Sequence, residues 1–305
     1  MIIKKEIKNK VTIYYVEKEI TDENMEKLKN TFVKKSQINL IIDDDTDVYN
    51  VENNKLLLKF RKNKLSVSKI KDFYDNVIHF AMGYTNNRGS TSGSKKKNVH
   101  ENPKIMTNII GYFDKLSPMQ KYLIKKKHAN IKTNVRECRF NVDYPEKYKK
   151  LIPLVEEVDH FYAKYVPDNY NNQLKKAKQT PFRIANTCFT TITTNVNFQT
   201  TIHKDKGDDM DGFGNLVVME DGQYTGGETC LPQYGIGVDV RSGDILLMDV
   251  HEWHGNLPIV KVSPEAKRLS VVCYLRYNIW KNTKHKTKKF MIHHNKTMRK
   301  LRGGT

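Results

Sequence analysis

Cysteine is scarce and poorly spaced for ligation. The 305 residues hold four, Cys138, Cys188, Cys230 and Cys273, and none forms a Cys-x-x-Cys pair. That excludes a zinc knuckle and a disulfide framework and leaves scattered reduced thiols. Long apolar runs are missing too. No stretch approaches the roughly 20 residues needed to span a bilayer, and the opening "MIIKKEIKNK" carries no apolar signal segment. The expectation is a soluble, intracellular chain, in cytoplasm or nucleus, with no membrane partner. Acidic charge is the third shortage: 34 Asp+Glu stand against 53 Lys+Arg, a net charge of +19. Such an excess suits a polyanionic partner, nucleic acid first, although a lysine-rich composition throughout the chain produces the same figure.

What is present changes character along the chain. Residues 1–75 alternate strand signals ("VTIYYV", "INLII", "NKLLLKF") with one helix over "TDENMEKLKNTFVKK", where Met25, Leu28 and Phe32 share a face. They contain no motif with chemistry and read as an α/β extension. "SKIKDFYDNVIHFAMGY" reads as a helix broken by the loop "TNNRGSTSGSKKKN", either a linker or a mobile segment in which Arg88 meets an anionic substrate. Helices dominate to residue 180: "SPMQKYLIKKK" with Ser117 as cap, then a long amphipathic stretch with Tyr148, Leu151, Val155, Val158 and Phe161 on one face, then "DNYNNQLKKAKQ". From Pro181 short strands follow at short intervals, as in a sandwich or barrel. The expected class is α+β, a jelly roll over 181–280 buttressed by the helices of 76–180. Residues 281–305 form a basic tail, either solvated or laid along a nucleic-acid backbone.

"TTIHKDKGDD" holds His203 and Asp205, at i and i+2, on one side of a strand. The pair is either a strand stopping at a polar turn or half of a metal site. "GDILLMDVHEWHGN" offers the missing ligand. A face of two histidines and one carboxylate with open positions is the pattern of non-haem Fe(II) oxygenases. His254 is preferred over His251 because Gly255 beside it permits close backbone approach. Fourteen residues later Arg268 and Ser270 share one face of "RLSVVCYLR", where an always-charged fork holds a carboxylate in two-pronged fashion. The polar row Thr191, Thr193, Asn195, Asn197 reads as cavity lining, with Asn195 and Asn197 as cosubstrate or substrate contacts, or as an exposed face.

His203-Lys204-Asp205, His254 and Arg268-x-Ser270 resemble the pattern of the 2-oxoglutarate- and Fe(II)-dependent dioxygenases. More narrowly, "IIGYFD", "FTTITTNVN", "HKDKGD", "GQYTGGETCLPQYGIGVDVRSGDILLMDVHEWHGN" and "RLSVVCYLR" resemble the TET/JBP branch, in its compact algal, fungal, phage and large-virus forms. The likeness covers about residues 80–278. It implies a dioxygenase domain over 76–280 whose jelly roll, over 181–280, is a double-stranded β-helix, with Fe(II) on His203, Asp205 and His254. It further implies 2-oxoglutarate on Arg268, ascorbate as the alternative to it, and hydroxylation of the 5-methyl group of 5-methylcytosine or thymine in DNA rather than RNA. Vertebrate members place an Asn shortly after the metal-binding Asp to read the base. Asp208 stands there in this chain, which leaves the base open, and the Cys-rich extension of animal members is absent. The same iron and Arg pattern also serves prolyl and lysyl hydroxylases, whose pockets need no basic rim.

Overall fold

The computed structural model describes residues 1–85, 89–93 and 105–301. In chain order the elements begin with β1 Ile2–Lys8, β2 Val11–Val16, α1 Asp22–Leu28, β3 Leu40–Ile42, β4 Thr46–Asn50, β5 Lys55–Arg61 and α2 Val67–Ala81. The middle holds β6 Met106–Phe113, α3 Pro118–Lys126, β7 Arg136–Glu137, α4 Arg139–Asp143, α5 Pro145–Tyr165 and α6 Pro167–Ala177. Then come β8 Thr191–Val196, β9 Gly214–Asp221, β10 Tyr224–Gly226, β11 Thr229–Leu231, β12 Ile236–Val238, β13 Ile245–Met248, β14 Gly255–Asn256, β15 Ile259–Lys261 and β16 Lys267–Tyr274, and finally α7 Tyr277–Thr283 and α8 Lys288–Leu301. The class is mixed α/β. Among the described residues no helix is long and apolar enough to cross a membrane.

The chain divides into two compact units. The first comprises Met1–Asn108, Thr194–Lys206 and Phe213–Val272. Its large sheet includes β1-β2-β4-β5-β13-β9-β16, a four-stranded one runs β14-β11-β12-β3, and β10 pairs with β15. The β1–β2 hairpin turns on Asn9 and Lys10, both at positive φ (52° and 64°), which matches the twist of the flanking strands. Val48, Leu58, Phe60, Leu216, Val218, Leu246 and Met248 from the large sheet share one buried cluster with Leu231, Ile236 and Val238 from the small one. A core of this unit therefore lies between the large sheet and the four-stranded one.

Residues 1–75 are not an extension. β5 pairs antiparallel with β13, Phe60 opposite Leu246, and β3 pairs parallel with β12, Ile41 opposite Gly237. Alternating apolar residues identify these segments as strands, but a strand's partner is set by long-range pairing, which local periodicity does not encode. The helix expected through Lys35 also stops early, at Leu28. Asn30 takes φ 63° and donates its N–H to Ile202 O (2.9 Å), and Ile202 N–H returns to Thr31 O (2.8 Å). Pairing with the segment that leads into His203 outweighs helix propensity at Asn30, Thr31 and Phe32.

The second unit comprises Ile109–Thr193, Gly207–Gly212 and Cys273–Thr305 and holds α3 to α8. Ser117 caps α3 in a reciprocal box with Gln120. α5 keeps Pro153 inside it and buries Leu151, Leu154, Val155, Val158 and Tyr162. Tyr162, rather than the expected Phe161, completes that face. The basic stretch after residue 281 is not an extended tail: α8 buries His294, Asn295, Met298 and Leu301.

Candidate metal centre

His203 and His254 lie directly opposite each other in an antiparallel bridge and exchange both backbone N–H···O bonds at 2.9 Å. Opposed residues of an antiparallel pair project to the same side, and the ring centroids stand 4.3 Å apart. Two residues on, Asp205 N–H donates to Val250 O at 3.0 Å, which anchors the third ligand to the turn before His254. Asp205 Oδ1 lies 3.6 Å from His203 Nε2, and Oδ2 lies 3.7 Å from His254 Nε2. One ligand atom from each residue falls within 4.8 Å of the others, within reach of a single ion.

The outer contacts prepare the donors. His203 Nδ1 lies 2.7 Å from Thr201 O, and His254 Nδ1 lies 2.9 Å from Glu252 O. A carbonyl only accepts, so each Nδ1 carries the proton and each Nε2 keeps its lone pair for a metal. His251 is not part of the ligand set. Its Nδ1 donates to Asp205 O (3.0 Å) and its N–H donates to Asp249 Oδ1 (2.9 Å), so it braces the backbone of the ligand carboxylate. Behind this turn Lys55 of β5 reaches Asp249 (2.6 Å) and Glu252 (2.8 Å), and the Tyr234 hydroxyl donates to Glu252 (3.3 Å). Sequence reasoning missed Lys55, and no local signal marks it, because its partners lie almost two hundred residues away.

Arg268 is buried on β16, and its Nη2 has no hydrogen-bond partner among the described residues. Burial lowers its tendency to stay charged, and the nearby Tyr224 phenol and Glu220 carboxylate counter that only in part. Glu220 is already held by Arg241 (3.3 Å) and by Ser242 N–H (2.7 Å). A buried guanidinium prong without a partner calls for an incoming anion. Gly227, at φ 83°, gives the arm its space, since a Cβ there would come within 3.0 Å of Arg268 Nε. Arg268 N–H donates to Asn197 Oδ1 (2.7 Å), and Asn197 Nδ2 donates to Ala266 O (2.8 Å). Asn197 thus braces the start of β16. Its left-handed φ of 48° is one that Asn tolerates. Asn195 joins neighbouring strands instead: Thr107 Oγ1 donates to its Oδ1 (2.6 Å), and its Nδ2 reaches Ser270 Oγ (3.5 Å).

Residues 121–277, just over half of the chain, match the model of the Tet_JBP family, described as the oxygenase domain of the 2OGFeDO superfamily. The chain belongs to this family. The Tet_JBP segment contains His203, Asp205, His254, Arg268 and Ser270; Lys55 lies outside it. The chain is 28% identical over 200 residues, 66% of its length, to the bifunctional helicase and thymine dioxygenase JBP2 of Leishmania braziliensis. It is 27% identical over 202 residues, again 66% of its length, to the thymine dioxygenase JBP1 of Trypanosoma brucei brucei. It spans only 16% of that JBP2 and 22% of that JBP1. Among solved structures, NgTET1 in complex with 5mC DNA matches with a TM-score of 0.52 at 14% identity, over 90% of this chain and 99% of that one. At that identity the likeness establishes the fold. Fe(II) and 2-oxoglutarate are the groups the superfamily implies. Two Nε2 donors and a carboxylate fit the first, and the unpartnered Arg268 prong fits the second.

Two expected substrate contacts fare differently. Arg88 lies outside the described residues. Asp208 is buried in the second unit, where its carboxylate stands 3.5 Å from Arg276 Nη1 and its backbone bridges to the same residue. Arg276 also holds Asp114 at 3.0 Å. Asp208 is therefore engaged in a buried ion-pair network.

Proposed function

We propose that this protein is a DNA-modifying dioxygenase that hydroxylates the 5-methyl group of a pyrimidine, 5-methylcytosine or thymine. The observation that carries this reading is the convergence of His203, Asp205 and His254 within 4.8 Å in a chain of the Tet_JBP family. Its curated relatives named above are thymine dioxygenases, and NgTET1 was solved with 5mC DNA. The large and the four-stranded sheet of the first unit form a double-stranded β-helix in this reading, which their shared core and the fold likeness support.

His203, Asp205 and His254 would hold Fe(II), with the carbonyls of Thr201 and Glu252 fixing the tautomer and aim of the imidazoles. Arg268 would take the distal carboxylate of 2-oxoglutarate, with Ser270 two residues along the same strand face. The need of a buried guanidinium for a carboxylate favours 2-oxoglutarate over ascorbate, which has none. When bound, the two supply the oxidation in which dioxygen places one oxygen atom in the methyl C–H bond and the other in succinate, with loss of carbon dioxide. A base stacked in a duplex is out of reach of such a centre, so the target base would be flipped out of the stack.

The test is anaerobic reconstitution with Fe(II), then incubation with 5-methylcytosine DNA, thymine-containing DNA and unmodified RNA. Succinate and nucleoside mass are read together. Hydroxymethylpyrimidine with matching succinate is expected from DNA, and His203→Ala is expected to lose both iron binding and turnover. Product on a peptide library alone would overturn the reading.

A further inference from the structure

On three helices of this chain a lysine is answered by an acid one turn away: Lys27 by Glu23 on α1, Lys71 by Asp75 on α2, Lys149 by Glu146 on α5. α3 and α8 carry no acid of their own. No Asp or Glu occurs between Lys115 and Arg136, and none follows Glu265. The two helices are neighbours in the second unit: Ile124 of α3 packs with Met298 and Leu301 of α8, and Lys127 Nζ donates to Leu301 O at 3.2 Å.

α8 buries His294, Asn295, Met298 and Leu301, which turns Lys289, His293, Lys296 and Lys300 outward along one stripe. From Lys289 to Lys300 the stripe runs about 16 Å, at about 1.5 Å per residue. Lys121 and Lys125 on the neighbouring α3 are exposed as well. Arg299 is excluded, since Glu137 holds it at 2.7 Å. Among the described residues no carboxylate pairs with the stripe's lysines. Like charges held together on packed helices repel one another, and a polyanion relieves that cost.

We infer that the α3–α8 face is a docking surface for the phosphate backbone of duplex DNA, distinct from the residues of the metal centre. This rests on the proposal that DNA is the substrate. It adds a place where sequence-independent affinity arises, because phosphate contacts position a protein without reading bases.

The test compares full-length proteins by fluorescence anisotropy on one unmodified duplex across a range of salt. One variant combines Lys289→Glu, Lys296→Glu and Lys300→Glu; a second combines Lys121→Glu and Lys125→Glu. A control combines Lys5→Glu, Lys8→Glu and Lys10→Glu, which imposes the same change in net charge as the first variant, on exposed residues of the first unit. The α8 variant is expected to bind at least about tenfold more weakly, with a salt slope shallower by about 0.9 for each phosphate that is no longer neutralised. The α3 variant should follow in the same direction, while the control binds as the parent does. Unchanged binding in the α8 variant, or an equal loss in the control, would overturn the inference. So would a loss confined to phosphatidylserine vesicles. Oxidised nucleoside is scored separately, so failure of the chemistry and failure of the docking surface give different results.

Discussion

At the scale of single residues, the decisive feature is a buried guanidinium with an unanswered prong. Arg268 owes its place to Asn197, which holds its backbone, and to Gly227, which leaves its side chain room. Arg268→Lys should raise KM for 2-oxoglutarate by at least about tenfold, since a charge-assisted hydrogen bond contributes about 1.5–3 kcal/mol and ammonium lacks the planar fork. Gly227→Ala should act in the same direction by displacing the arm. Initial rates against 2-oxoglutarate concentration check both, and an unchanged KM in Arg268→Lys would remove the Arg from the cosubstrate site. The convergence of His203, Asp205 and His254 was legible because residue type and spacing state a chemistry. The roles of Asn197 and Asp208 were not. Each depends on the backbone or charge that folding brings beside it: Ala266 and Arg268 for the one, Arg276 for the other.

At the scale of elements, β5 and α8 carry consequences that their own sequences do not announce. Lys55 on β5 ties down the turn whose carbonyls orient His254 and Asp205. Lys55→Ala should weaken Co(II) or Mn(II) binding to the protein by about tenfold, as loss of outer-shell support does, and Lys55→Arg should retain most of it. Titration of the Co(II) absorption band reads this without turnover. On α8, His294 is buried with Nε2 2.7 Å from Val135 O, and burial pulls its pKa below the ordinary 6.5. The unfolded chain then binds the proton more readily than the folded one. The stability this group contributes is complete above pH 6.5 and is lost as pH falls through the lower folded value. Melting temperature should therefore drop between about pH 7 and pH 5. His294→Gln, which keeps an N–H donor for Val135 O but does not titrate, should flatten that drop.

At the scale of the whole molecule, residues 1–75 belong to the first unit. Val16, Ile42, Val48, Leu57, Leu58 and Phe60 are six members of the cluster between its sheets. At about 1.5 kcal/mol or more each, their removal forfeits about 9 kcal/mol, as much as the whole stability of a typical domain. A chain beginning at residue 76 should therefore fail to fold, and circular dichroism and solubility of the truncated protein decide it. A soluble, iron-binding 76–305 fragment would restore the view of these residues as an appendage. The chain as a whole carries a net charge of +19. The α8 stripe locates part of that charge where, among the described residues, no carboxylate pairs with its lysines.

The amino-acid order alone determined the ligand types, the Arg268–Ser270 pair, most helices and the run of late strands, because these follow from side-chain chemistry and short-range periodicity. Only the tertiary structure decided that His203 sits opposite His254, that β3 and β5 complete sheets begun almost two hundred residues later, and that Asp208 answers Arg276. Strand pairing and the satisfaction of buried polar groups depend on partners remote in sequence, and no local pattern specifies which remote partner will arrive.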